Sequence, residues 1–166
     1  AAGTHQALNI AAAIAAVQEI APTDQDVIEK ALEQMPPVFA RDEKVLIQDR
    51  LVRLMLVQNF VSFNLNLENI TGSESPLMLM AGSDIHDPSW LWNVDFSKLR
   101  RVDVVGGLNA FDLALVLSYN NVEIGKVIQS PQEAADYFLT LPGDEPTILF
   151  SADAMRRTRR HLGLAK

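Results

Sequence analysis

An α/β fold with a mostly parallel, Rossmann-like sheet flanked by helices is the class this chain predicts, and three observations predict it. Short apolar runs alternate with stretches of helical texture along the whole second part of the chain. One of those runs, LMLMA at 77–81, is apolar at every position, as a strand covered on both faces requires. The runs are separated by helix-length segments, which favours parallel pairing through right-handed crossovers over a meander.

Taken in order, residues 6–20 (QALNIAAAIAAVQEI) predict a helix, because alanine has the best helix propensity and small side chains allow close packing. Thr4, after Gly3, is placed to cap it, and His5 beside it reads as structural. Pro22 stops it. Thr23 then opens a second helix, TDQDVIEKALEQM, with Asp24 and Asp26 where the helix dipole favours anions and Val27, Ile28, Ala31 and Leu32 at helical spacing. Pro36-Pro37 reads as a stiff linker. Beyond it, KVLIQ (44–48) and LVRLMLV (51–57) surround Asp49-Arg50 and predict a hairpin, or an edge strand followed by a core strand. A short helix over 60–69 follows. The remaining strands are LMLMA, VDVV (102–105), VEIGKVI (122–128) and TILF (147–150), and the remaining helices cover 109–119, 131–139 and 151–162.

The 166 residues are 48% hydrophobic and 21% charged, enough apolar material for a core and too much for disorder. No cysteine is present, which excludes a disulfide framework, a cysteine zinc site and a cysteine nucleophile on this chain. Fourteen basic against 21 acidic residues leave a net charge of −7, which argues against nucleic-acid binding. The longest apolar stretch, Leu8–Val17, has ten residues and contains Asn9, so no transmembrane segment is expected. No basic-then-apolar leader precedes it, so no secretion signal is expected either. The chain opens on Ala1 rather than methionine, as a fragment of a larger parent would.

Open parallel sheets bind ligands outside the carboxyl ends of their strands. That rule selects Gln58-Asn59, the segment Gly82–Asp87, Gly106-Gly107 and Ser151–Asp153, which should converge on one edge. In the second of these, Asp84, His86 and Asp87 precede Pro88-Ser89-Trp90-Leu91-Trp92. A histidine between carboxylates suits an acid–base pair or half a metal site. The same residues equally suit a helix start with Asp87 as N-cap and Pro88 behind it. Trp90 and Trp92 read as core or interface anchors. Gly106-Gly107 reads as a tight strand-to-helix turn, since the full G-x-G-x-x-G spacing is missing. The Arg156, Arg157, Arg159, Arg160, His161 cluster reads as a solvated helix end that complements the dipole, or as a docking patch for an acidic partner. There is no P-loop, no G-x-S-x-G elbow and no H-E-x-x-H, so a complete active site is not legible.

Three stretches carry a resemblance to a known family. Gly3–Asn9, running into the alanine-rich helix, resembles the segment closing the central ATPase domain of Mur ligases. Phe39-Ala40-Arg41-Asp42-Glu43, followed by the strand ending in Leu56-Val57-Gln58-Asn59 with Phe63-Asn64 behind it, resembles the entry to one subfamily's C-terminal domain. Asp87–Phe96 (DPSWLWNVDF) is similar to the D-x-S-W-x-W-D-x-D-F stretch of the MurT family, the Mur-ligase-like subunits of lipid II isoglutaminyl synthases. Gly107, Ala110, Asp112, Ala114, Leu117, Tyr119 and Val122 continue the pattern.

The resemblance implies a helical remnant of the central ATPase domain over 1–36 and a Mur-ligase-like C-terminal α/β domain over 37–166. It implies a heterodimer with a GatD-like glutaminase that amidates the α-carboxyl of D-glutamate in the peptidoglycan stem peptide of lipid II, using ATP and glutamine. ATP and Mg2+ belong to the full-length enzyme, and neither cofactor nor metal is expected on this stretch alone, which should be inactive by itself. The resemblance makes Asp87 the acid that completes the partner's Cys–His pair, with His86, Trp90 and Trp92 as partner contacts and Asn59 and Asn64 as cofactor contacts. The family's lysine, proline and glycine are absent around those asparagines, and its basic residues are absent at Asn109, Val116 and Ser118. The expected location is cytoplasmic, at the inner face of the membrane. Two readings of other kinds stand beside this one: a non-catalytic interaction scaffold derived from a Mur ligase, and a folylpolyglutamate-synthase-like domain.

Overall fold

The structure, a computed structural model, describes residues 4–34, 41–70, 75–83 and 87–164. Two units are distinguished, Ala1–Val38 and Phe39–Lys166. The first holds α1 (Thr4–Ile20) and α2 (Gln25–Gln34). Their turn is closed reciprocally: Gln18 donates from Nε2 to the Thr23 carbonyl at 2.7 Å, and Thr23 N–H donates back to Gln18 Oε1 at 2.9 Å. The Asp24 carbonyl accepts from Val27 and Ile28 N–H and opens α2. The expected linker Pro36-Pro37 lies outside the described residues, and α1 already includes Thr4, the residue expected to cap it.

The second unit is a six-stranded sheet in the order β1-β2-β6-β3-β4-β5. Its strands are β1 (Arg41–Ile47), β2 (Arg50–Leu56), β3 (Leu77–Met80), β4 (Arg101–Gly106), β5 (Glu123–Ile128) and β6 (Thr147–Phe150). β1 and β2 form the antiparallel hairpin, and every other neighbour pair is parallel. The hairpin turns on Gln48 and Asp49, both at positive φ, which is how a two-residue loop matches strand twist. Of the two expectations for this segment, both hold: a hairpin whose first strand is the sheet edge.

Strand periodicity divides the core between two faces. Leu77, Leu79, Leu149 and Val105 face α3 (Phe60–Glu68), α4 (Ala110–Tyr119) and the 3-10 helix Pro88–Asn93. Met78, Met80, Ile148 and Phe150 face α5 (Pro131–Thr140) and α6 (Ala152–His161). β3 and β6 are buried at every position, as their unbroken apolar runs require. Arg50 ties the start of β2 to the end of α5 by donating to the carbonyls of Leu139, Leu141 and Gly143 at 2.8–3.1 Å.

The arginine cluster needs a correction. Arg159 is not on a solvated face: it is buried and donates from Nη1 to Glu43 Oε2 at 2.7 Å. Helical spacing puts 159 on the same side as Met155, toward β1, so its guanidinium ends against the edge strand. Arg156 and Arg157 remain partly exposed beside Asp153, and His161 pairs with Asp136.

Candidate docking and acid site

The order of strands reverses between β6 and β3: the chain runs outward through β3, β4 and β5, then returns to insert β6 on the other side of β3. The carboxyl ends of these two strands therefore flank a crevice of the kind that open α/β sheets use. The four expected loops do meet along this edge. Gly82 N–H donates to Ser151 Oγ at 2.8 Å, and Ser83 donates to Asp153 Oδ2 from Oγ at 2.8 Å and from N–H at 3.2 Å. Asn109 Nδ2 donates to the Gly82 carbonyl at 2.9 Å. Val57 N–H, at the end of β2, donates to the Phe150 carbonyl at 3.0 Å. Gly107 turns β4 toward α4 at φ +95°, and a Cβ there would stand 2.3 Å from the Ala81 carbonyl oxygen, so glycine is required.

Asp87 follows this edge on the surface. It caps the 3-10 helix: Oδ1 accepts from Ser89 N–H at 2.9 Å, and Pro88 occupies the first turn. Hydrogen bonding from the Ser89 side chain, then from its N–H, holds the Asp87 carboxyl below the usual carboxylate range. The cap geometry leaves the carboxylate exposed to solvent. Asp84 and His86, with the acid–base or metal reading drawn from them, lie outside the described residues. Among the described residues no group of three His, Cys, Asp or Glu side chains could hold a metal ion.

The two tryptophans separate. Trp90 is half-buried, with its ring 6.4 Å from Phe63 in an edge arrangement, on the α3 core. Trp92 faces outward and meets Tyr119 edge-on at 5.2 Å. Around it lies a surface that residue spacing alone did not single out. Phe111, Leu115, Tyr119 and Trp92 are each more than half exposed, and Leu108 continues the row. Positions 108, 111, 115 and 119 recur at helical spacing, opposite the buried row Ala110, Leu113 and Leu117. The available signal was that NAFDLALVLSY is apolar all round, which a surface helix of a self-contained domain is not. Asp87, Pro88, Ser89, Trp92, Asp112, Leu115 and Val116 line one open pocket of about 230 Å³, so the acid borders the apolar row.

Asn59 and Asn64 have local work. Asn59 caps α3 by accepting from Ser62 N–H at 2.8 Å, and Ser62 Oγ accepts from Asn59 N–H in return. Asn64 Oδ1 accepts from Asp95 N–H at 2.8 Å, and its Nδ2 donates to the Asn93 carbonyl at 3.4 Å. Both side chains are thus engaged in local hydrogen bonds that fix the start of α3 and tie it to the segment after the 3-10 helix. No helix among the described residues is long and apolar enough to cross a membrane.

Residues 56–155 match the family model described as MurT ligase C-terminal. The MurT subunit of lipid II isoglutaminyl synthase (glutamine-hydrolyzing) from Streptococcus pneumoniae is 25% identical over 137 residues, covering 77% of this chain and 30% of that protein. The chain thus spans about a third of the curated relative it matches. Among solved structures, the UDP-N-acetylmuramate-alanine ligase MurC of Thermotoga maritima matches 98% of this chain and 38% of its own, with a TM-score of 0.70 at 16% identity. A pseudomurein peptide ligase type C of Methanothermus fervidus matches 99% and 36%, at 0.67 and 17%. The folylpolyglutamate synthase of Thermotoga maritima matches 99% and 40%, at 0.67 and 18%. At these identities the structural matches speak for the shared fold.

Proposed function

Because the chain belongs to the MurT ligase C-terminal family, we propose that its α/β unit docks a GatD-like glutaminase and presents Asp87 to that partner's Cys–His pair, within a lipid II isoglutaminyl synthase. The observation that carries this reading is a solvent-exposed carboxylate at the rim of an exposed apolar row, on a chain with no cysteine of its own. Such an arrangement supplies a contact surface and one polar group. The related pneumococcal protein is named as a subunit of a glutamine-hydrolysing synthase, which is consistent with a partner that does the hydrolysis.

In this reading Asp87 accepts a hydrogen bond from the partner's histidine, fixes its tautomer and stabilises the imidazolium that forms when the partner's thiol gives up its proton. The lowered pKa keeps Asp87 ionised at neutral pH, as that role needs. Phe111, Leu115, Tyr119 and Trp92 form the contact surface, with Trp92 replacing the Trp90–Trp92 pair as aromatic anchor. The complex amidates the α-carboxyl of D-glutamate in the stem peptide, in the cytoplasm at the inner membrane face. ATP with Mg2+ activates that carboxylate, at a site to which no residue of this unit is assigned.

The test combines the protein carrying this domain, wild type or Asp87→Asn, with its glutaminase partner and follows glutamate release from glutamine. Loss of release with binding retained is the expected result. Full release from the Asp87→Asn complex would leave the domain a docking scaffold, the reading that the missing basic residues at Asn109, Val116 and Ser118 favour.

A further inference from the structure

We infer that Asp153 is a positioning residue for Asp87: it holds the root of the segment that carries the acid and so couples the start of α6 to the place where the acid stands. The inference rests on the role given to Asp87 above. Ser83 and Asp87 are separated by three residues, 84–86. On the downstream side Asp87 leads into the 3-10 helix, whose Leu91 is buried in the core. On the upstream side the backbone is held by hydrogen bonds to the first residues of α6.

Those bonds have an unusual source. Ser151 is the N-cap of α6, yet its hydroxyl makes no cap bond to that helix and accepts from Gly82 N–H instead. Asp153, in the first turn, is turned the same way: its Oδ2 accepts both the hydroxyl and the N–H of Ser83. Side chains that ordinarily satisfy a helix start are committed to the strand loop next door. Arg157 Nε, at 2.9 Å from Oδ2 and 3.1 Å from Oδ1, locks the carboxylate in that orientation. The approach is close: a Cβ on Gly82 would lie 2.6 Å from Ala154 N. Asp153 itself is 9% exposed, so its orientation is set by these partners rather than by solvent.

Among the described residues the network reaches the start of α4 only through Asn109, which donates to the Gly82 carbonyl, and none of its hydrogen bonds is made by Phe111, Leu115 or Tyr119. Releasing Ser83 therefore loosens one end of the acid's segment without altering the residues that meet the partner. Misplacement of a catalytic group by about 1 Å can cost on the order of 10²-fold in rate.

The test uses the assembled complex and measures kcat and KM for glutamine, partner Kd and thermal melting. Asp153→Ala and Ser83→Ala are expected to lower kcat about tenfold while KM and Kd stay within about twofold. Asp153→Asn, which keeps an acceptor for Ser83, retains most of the rate. In the Asp87→Asn background, Asp153→Ala is expected to cost nothing further, because it acts through that acid. Should Asp153→Ala melt early, Ser83→Ala carries the test, since it leaves α6 and its arginines intact. Wild-type kcat in Ser83→Ala and Asp153→Ala beside a slow Asp87→Asn overturns this inference alone. A second full loss added to Asp87→Asn, or a fall in partner affinity, overturns it too. A fast Asp87→Asn complex overturns the role of Asp87 and this inference with it.

Discussion

α4 and α6 have the same length and cover opposite faces of one sheet, yet they finish their outer sides in opposite ways. α6 is strongly two-sided. Ala154, Met155 and Thr158 go inward, arginines go outward, and even the inward Arg159 is matched by Glu43. α4 buries Ala110, Leu113, Val116 and Leu117 and then presents Phe111, Leu115 and Tyr119 to solvent. The fold needs only one apolar row from each helix. The second row on α4 is left largely outside the core, a surface that under the proposal above meets the partner. The contrast says which side of this sheet is finished within the domain and which side leaves an apolar row exposed.

The strongest way to break that contrast is Asp87→Asn, which should lower glutamine hydrolysis by the complex on the order of 10²–10⁴-fold with the domain still folded. A rate change from variants on the α6 side alone, with Asp87→Asn fast, would reverse the assignment of sides. Next in size is Arg159→Ala. It removes the guanidinium from the buried contact between α6 and Glu43 of β1, and urea unfolding should show a loss of about 3 kcal/mol, with partner affinity unchanged at permissive temperature. Phe111→Glu and Leu115→Glu should do the converse: affinity for the partner falls by about tenfold or more in titration calorimetry, while melting shifts little.

Smaller effects sharpen the comparison further. The Arg53 guanidinium hydrogen-bonded to Asp42 holds that carboxyl below its ordinary value, against partial burial that raises it. Its stabilisation is therefore present above about pH 4 and lost as pH falls through the folded value. Acid unfolding of Asp42→Asn should lack that part of the decline, about 1 kcal/mol or less because the pair is partly exposed to screening solvent. Smallest is Arg160→Ala on the outer side of α6, expected to change stability and partner affinity by less than about 0.5 kcal/mol. A larger affinity loss there would mean that the basic face, not α4, meets the partner.

Much of this was legible in one dimension. LMLMA announces a buried strand because an uninterrupted apolar run suits a strand covered on both faces. Asp87-Pro88 announces a cap because proline lacks the N–H that a first turn leaves unused. The D-P-S-W-L-W segment carried the resemblance that the family model bears out. Arg159 was not legible, since a charge in a run of arginines looks solvated until a distant Glu43 is brought against it. Nor was the separation of Trp90 from Trp92, which depends on which side of the 3-10 helix packs against Phe63 of α3 and which meets Tyr119 of α4.

Local chemistry by itself determined the elements of this protein and the α/β class, because period, propensity and capping act over a few residues, whereas Asp87 as candidate acid came from the family resemblance alone. Tertiary structure alone decided what those elements do to each other. Strand order puts β6 beside β3, and so brings Asp153 to Ser83 across 70 residues of chain. Packing one row of α4 against the sheet leaves the other row outside, next to Asp87. Such pairings depend on which strands become neighbours, a choice made by the whole core rather than by any segment within it.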